Sequence, residues 1–186
     1  MGLSVRYDAT MVKDELCLIM IASANLQFSA EINGWTKFVS MQNHYSLLYR
    51  EEEKEMNAYC NATGVGLIPW SPLCRGYLAR PSSEARGTIR SDGESKNPMP
   101  MFKDLGTSDQ DKQIVDRVEE IATKKNVKMA HVALAWINKR ISSPIIGFSK
   151  VERIDEAIEA NGVELTGEED KYLSELYIPR PYSGHA

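Results

Sequence analysis

Cysteine and histidine are rare in this sequence, three of each, and neither clusters. Cys17, Cys60 and Cys74 form no Cys-x-x-Cys pair and cannot all pair with one another. That excludes a disulfide framework and fits a reducing compartment. His44, His131 and His185 are too scattered to make a metal site. An excess of basic residues is also lacking: the formal net charge is −4, so nothing favours nucleic acid or an anionic membrane. Long apolar runs are missing too. The longest, Leu16 to Ala22, is too short to span a bilayer. It follows Asp14 and Glu15 rather than basic residues, which makes it a poor signal peptide. These shortages together read as a cytoplasmic protein with neither membrane nor nucleic acid as partner.

What is present is ordinary for a folded domain, 42% hydrophobic and 26% charged over 186 residues. A chain of this size buries one core, about 70% of its unfolded surface. The stretch that organises the rest is Val65 to Gly76. A short apolar run ends at Trp70 and passes into Ser71-Pro72-Leu73-Cys74-Arg75-Gly76, as a buried strand delivers residues to a loop at its C-terminal end. Upstream, Leu16 to Ile21 reads as a buried strand. A short helix is expected over about Leu26 to Ile32, stopped by Asn33-Gly34. Lys37 to Gln42 reads as a strand ending in the polar cluster Gln42 to Ser46. Arg50 to Thr63 reads as a helix with Glu51, Glu52 and Glu53 in a solvated first turn, where they oppose the dipole. Met56, Tyr59, Cys60 and Thr63 share one face of it, and Gly64 stops it.

Ser71 to Thr107 is rich in Gly, Pro, Ser and Arg and reads as a long functional loop. Ser108 is placed to cap a helix carrying Ile114, Val118, Ile121 and Ala122 on one face, broken at Asn126-Val127. A second stripe, Met129, Val132, Trp136 and Ile137, ends in Lys139-Arg140, with His131 expected on the surface. Ser143 to Gly147 reads as a short strand with Pro144 at its start. Ser149 and Glu152 stand at capping-box spacing, and Val151, Ile154 and Ile158 are expected to face inward. Thr166 and Glu169 form a second capping box before a last helix with Leu173 and Leu176. Strand then helix recurs about three times, too few to close an eight-stranded barrel, which takes about 250 residues.

If the strands are parallel, three groups share one end: Gln42 and its neighbours, Trp70 to Arg75, and Gly147 to Arg153. An amide pairs with a carboxamide, an aromatic plate stacks on a heteroaromatic ring, and a helix N-terminus with Lys150 and Arg153 holds phosphate. Together they suit a nucleotide. Met41-Gln42-Asn43-His44-Tyr45-Ser46-Leu47-Leu48, Ile68-Pro69-Trp70-Ser71-Pro72-Leu73 and Pro144-Ile145-Ile146-Gly147, with Arg153 and Glu156, resemble the aldo-keto reductase superfamily. The likeness is greatest to its fungal and bacterial branch of aryl-alcohol dehydrogenase or versiconal reductase type, and it runs from about Asn33 to Tyr182.

The resemblance implies an α/β fold that is a partial TIM (β/α)8 barrel, its C-terminal half, with parallel strands and surrounding helices. The whole chain is then one incomplete domain with a divergent N-terminus over residues 1–24 and a family-like region over 33–182. It implies NADP(H) as cofactor and a small carbonyl or alcohol as substrate. Gln42 matches the glutamine that bonds the nicotinamide carboxamide, and Trp70 the aromatic that stacks on the nicotinamide. Ser71, Leu73 and Arg75 match the loop over the pyrophosphate. Ser149, Lys150 and Arg153 lie where the adenosine 2′-phosphate is received, and Glu156 where the adenine ribose or base approaches. Ala157 replaces an asparagine often found there. The family's general acid is a tyrosine tuned by an aspartate, a lysine and usually a histidine, with the aspartate and tyrosine five positions apart. No Asp-x4-Tyr occurs in this sequence. No catalytic residue is therefore assigned, and the chain resembles the C-terminal half of such an enzyme. His44, as a substitute acid, competes with a loop histidine bonded to its neighbours. Tyr45 and Tyr49 are expected to pack or to line the mouth, and Cys74 to be inert. Two readings stay open: an NADP-dependent carbonyl reductase when complete, or a non-catalytic remnant that binds a nucleotide or a partner. An incomplete barrel also exposes strand edges, through which self-association is expected.

Overall fold

The computed structural model describes residues 15–84, 105–148 and 150–181. The chain is α/β with mostly helices around a small parallel sheet. Leu16 to Ile21, expected as a strand, is instead the start of helix α1, Glu15–Ile32. Length decides this. A short apolar run does not distinguish strand from helix, and this one continues without Gly or Pro through Ala, Leu, Met and Gln, which favour helix. The helix foreseen over Leu26 to Ile32 is its second half. It stops at Asn33-Gly34 as anticipated, with Gly34 at φ +66 and the Trp35 N–H returning to the Ala30 carbonyl at 2.8 Å.

Strand β1, Ser40–Met41, pairs in parallel with β2, Gly66–Leu67, through the register Ser40 with Gly66 and Met41 with Leu67. The ladder is shorter than the apolar runs at 37–42 and 65–70. Further on, His44 bridges Trp70, and Trp70 bridges Ile145, both in parallel. The strand foreseen over Ser143 to Gly147 is thus one bridge at Ile145, whose N–H donates to the Pro69 carbonyl at 2.8 Å. Three segments therefore lie side by side in the order β1, β2, Ile145. Met41, Val65 and Leu67 pack with Met56 and Cys60. Side chains alternate along a strand, so Gln42, His44, Ile68 and Trp70 belong to the opposite face, away from that helix.

The helix foreseen over Arg50 to Thr63 is broken in two. A 3₁₀ turn, Glu51–Lys54, meets α2, Met56–Thr63, at Glu55, whose φ −137 and ψ −61 are not helical. Gly64 ends α2 in the left-handed region at φ +74. Of the expected inward face, Met56 and Cys60 are buried, whereas Thr63 is exposed and its hydroxyl bonds the Tyr59 carbonyl at 2.8 Å. Glu51 and Glu52 contradict their expected solvation, because both are fully buried. Glu51 accepts from the Tyr177 hydroxyl at 2.6 Å and from the Arg180 N–H at 2.8 Å, and pairs with Lys54 at 2.5 Å. A carboxylate with that many donors is stable away from water.

Helices α3, Asp109–Lys125, and α4, Met129–Asn138, supply most of the main core with Tyr45, Leu47, Leu48, Tyr49 and Leu78. Ser108 caps α3 by accepting from the Asp111 N–H at 3.1 Å, and Asn126 ends it at φ +54. Trp136 at the centre is fully buried, with the Arg140 guanidinium 4.1 Å from its ring. His131 is buried rather than on the surface, 6% exposed, because α5, Glu152–Glu159, lies beside it and brings Glu159 to 3.9 Å. Val151 occupies the cap position of α5, and Ser149, half of the capping box foreseen with Glu152, lies outside the described residues. Nor do Val151, Ile154 and Ile158 face inward, being 72%, 42% and 61% exposed. Apolar spacing marks one side of α5 but supplies no element to pack over that side. The box at Thr166 and Glu169 does form and starts α6, Gly167–Ser174.

Candidate functional site

The three parallel segments end in one row, His44, Trp70 and Ile145. The chain that follows each leaves from the same edge, which is where ligands bind in parallel α/β sheets. The sequence therefore places 45–50, 71–80, 146–148 and 150–153 at one end of the sheet.

Gln42 is exposed on the face away from α2, one alternation step before His44. Trp70 is half-buried, its N–H donating to the Asn43 carbonyl at 2.9 Å. Behind it the rings stack: His44 lies 4.2 Å from Trp70 at an interplanar angle of 9°, and Tyr49 lies 4.3 Å from His44 at 10°. From the sequence, His44 is either a substitute acid or a loop histidine bonded to its neighbours. It is instead 1% exposed and the middle ring of a stack. Alternation along the strand puts His44 on the face of Gln42, but the sequence carries no signal that sets it against Trp70.

After Trp70 the backbone turns tightly. Ser71 has φ +59, and Cys74, Arg75 and Gly76 follow at φ +47, +58 and +100. Left-handed conformations at three non-glycine positions cost energy and cluster at ligand sites. The turn is held by the Cys74 N–H to Ser71 and the Gly76 N–H to Leu73, both 2.9 Å. Ser71, Leu73 and Arg75 are half-buried on this loop. Cys74 is fully buried, and burial together with the Asp111 carboxylate pushes its thiol pKa up, so it is not a nucleophile. The part of the long loop at 85–104 lies outside the described residues.

Lys150 and Arg153 are exposed just beyond the Ile145 bridge, while Glu156 is paired with Lys128 at 2.8 Å. The structure thus brings Gln42, Trp70, Ser71, Leu73 and Arg75 to one end of the sheet, with Lys150 and Arg153 following the third segment. It ties Glu156 to the start of α4. Two tyrosines are engaged by carboxylates. Tyr45 donates to Glu53 at 2.5 Å, and burial with that carboxylate raises its pKa. Tyr177 donates to Glu51, and burial raises it likewise. Neither is poised to release a proton at neutral pH. A separate groove of about 570 Å³ is lined by residues 126–128, His131, Glu159, Gly162 and Val163, none of them from the strand ends. Among the described residues no cluster of His, Cys, Asp or Glu could hold a metal ion, and no helix is long and apolar enough to cross a membrane.

The sequence model of the aldo/keto reductase family matches residues 21–178. The chain belongs to that family. It is 57% identical over 163 residues to an aldo-keto reductase of Fusarium vanettenii, covering 88% of this chain and 43% of that protein. It is 52% identical over 163 residues to an aldo-keto reductase of Alternaria alternata, covering 88% and 43%. It is 48% identical over 156 residues to versiconal hemiacetal acetate reductase of Aspergillus parasiticus, covering 83% and 45%. The chain spans less than half the length of these relatives.

Proposed function

We propose that this chain is the nicotinamide-binding half of a fungal-type, NADP-dependent aldo-keto reductase, forming the C-terminal part of a (β/α)8 barrel. One observation carries the reading: Gln42 and Trp70 fall on the same face of the parallel segments at their ends, and the strained Ser71–Gly76 turn leaves directly from the aromatic plate. The arrangement fits the group it would hold. Gln42 offers a donor and an acceptor to the carboxamide, and Trp70 a flat face to the ring. Ser71, Leu73 and Arg75 line the turn for the pyrophosphate. Ser149, Lys150 and Arg153 take the 2′-phosphate, the last two by charge. Glu156 reaches the adenosine end only by exchanging its Lys128 partner. When bound, the cofactor supplies a hydride to a small aldehyde or ketone.

The residues of this chain bind and orient, and none donates the proton. Tyr45 and Tyr177 donate to the carboxylates of Glu53 and Glu51, and the family's Asp-x4-Tyr spacing does not occur in this sequence. The chain alone therefore binds NADPH without reducing carbonyls. The exposed apolar residues at the two outer elements, Leu26, Phe28 and Ile32 on α1 and Val151 and Ile158 on α5, favour self-association. Cytoplasmic placement accords with the free, buried Cys60 and Cys74. Calorimetric titration with NADPH, NADH and 2′,5′-ADP tests the reading. NADPH is expected to bind tightest, and Lys150→Ala with Arg153→Ala to abolish its preference over NADH. Equal affinity for NADPH and NADH in the unaltered chain would refute the 2′-phosphate assignment.

A further inference from the structure

Arg153 is the one basic residue of α5, and what it can bind depends on which carboxylates compete for it. On a helix, side chains three and four positions apart face one another, whereas those one and two apart do not. Glu152 and Asp155 therefore flank Arg153 without facing it. Within α5 only Glu156 and Ala157 stand at the facing spacings, so Glu156 is the carboxylate of this helix that competes for the Arg153 guanidinium.

Glu156 is held from outside its helix. It pairs at 2.8 Å with the ammonium of Lys128, the residue that caps the start of α4. The hydrogen bond from Lys128, ahead of the charge of Arg153, keeps the Glu156 carboxyl below its ordinary range. Arg153 is exposed and forms no ion pair with another described residue. The Lys128 and Glu156 side chains are 55% and 41% exposed, and a pair so open to water adds little to stability. Its consequence lies in where the charges are placed. If the ammonium is removed, Glu156 keeps one cation on its own helix, Arg153, three residues back. A guanidinium bonded to a carboxylate is withdrawn from a phosphate, and an unpaired carboxylate beside it repels that phosphate.

We propose that Lys128 is a positioning residue for the 2′-phosphate of the cofactor: by holding Glu156, it leaves Arg153 to that phosphate. This rests on the reading of Lys150 and Arg153 as the 2′-phosphate site. Lys128 acts through Glu156 and Arg153, not by its own charge.

The test titrates NADPH and NADH into the unaltered chain, Lys128→Gln, Lys128→Arg, Glu156→Gln and the double variant Lys128→Gln with Glu156→Gln. Far-ultraviolet circular dichroism confirms that each is folded. The quantity read is the ratio of the two affinities. Both ligands carry adenosine, so the ratio cancels any contact that Glu156 makes there. Lys128→Gln is expected to lower the preference for NADPH about threefold, the scale of one exposed charge pair, with NADH unchanged within about twofold. Lys128→Arg is expected to keep the preference, and the double variant to show the preference of Glu156→Gln alone. An unchanged preference in Lys128→Gln overturns the proposal, and so does an equal weakening of both cofactors. If the double variant stays as low as Lys128→Gln, Lys128 acts by its own charge and the proposal is again overturned. If Lys150→Ala with Arg153→Ala leaves the preference intact, the 2′-phosphate reading fails and takes the proposal with it.

Discussion

Arg180 ties the C-terminal segment to the start of α3, and removing its charge is a direct probe of how the fold is held. The Asp111 carboxylate is fully buried and accepts from the Gly106 N–H at 2.9 Å and from Arg180 at 2.5 and 3.4 Å. Breaking a fully buried ion pair from one side costs about 3–5 kcal/mol, because the other charge is left uncompensated. Here the Arg180 side chain is 20% exposed, so water reaches part of the pair. Asp111 also keeps the Gly106 N–H and the positive end of the α3 dipole, and these reduce the penalty to about 2–3 kcal/mol. Arg180→Met keeps the aliphatic stem and removes only the guanidinium. The expected loss is read from urea unfolding followed by circular dichroism, and corresponds to a fall in Tm of roughly 5–10 °C for a chain of this size. Asp111→Asn removes the buried charge, so Arg180→Met in that background should cost about 1–2 kcal/mol less than in the native one. If Arg180→Met stays within about 0.5 kcal/mol of the native chain, or the two changes simply add, the pair is not what anchors the segment.

Three further outcomes are expected. Glu51 is a second anchor of the same segment: burial by itself would raise its pKa, but hydrogen bonds from Lys54, Tyr177 and the Arg180 N–H outweigh it and hold the carboxyl below its ordinary range. Its contribution is present above the unfolded carboxyl pKa of about 4.3 and is lost as pH falls through the depressed native value, so Glu51→Gln should flatten the fall in urea midpoint below about pH 5. Gly106 sits at φ +82 with the Tyr77 ring 2.5 Å from where a Cβ would stand, so Gly106→Ala should destabilise by about 2–4 kcal/mol in the same assay. Val151→Glu with Ile158→Glu, both on the exposed face of α5, should leave stability within about 0.5 kcal/mol and lower the mass seen by light scattering at high concentration.

Features determined by neighbouring residues were legible in the sequence. Ser108 and Thr166 cap their helices, Gly34, Gly64 and Asn126 end theirs, and the Trp136 stripe faces the core, because each depends on a few residues on either side. What escaped was set at long range. Glu51 looked like a solvated helix start because its donors, Tyr177 and Arg180, lie 126 and 129 residues away. His131 looked exposed because α5, whose Glu159 approaches it, comes later in the chain. Val151, Ile154 and Ile158 have the spacing of a packed face, but spacing shows only that a side is apolar, not that anything covers it. At the candidate site, Gln42 and Trp70 are proposed from residue type alone, at the ends of the apolar runs that contain β1 and β2. The stack of Tyr49 on His44 on Trp70 was not visible, because it depends on the turn at Ser46–Tyr49 folding one ring back onto another.

The proposed function gives this chain the cofactor platform of an aldo-keto reductase without a proton donor. The most direct test adds an aromatic aldehyde to the purified chain saturated with NADPH and follows absorbance at the reduced-nicotinamide band. NADPH is expected to bind, more weakly in Trp70→Ala, with no aldehyde-dependent loss of absorbance. Aldehyde-dependent oxidation of NADPH by the unaltered chain, abolished in Trp70→Ala, would contradict it.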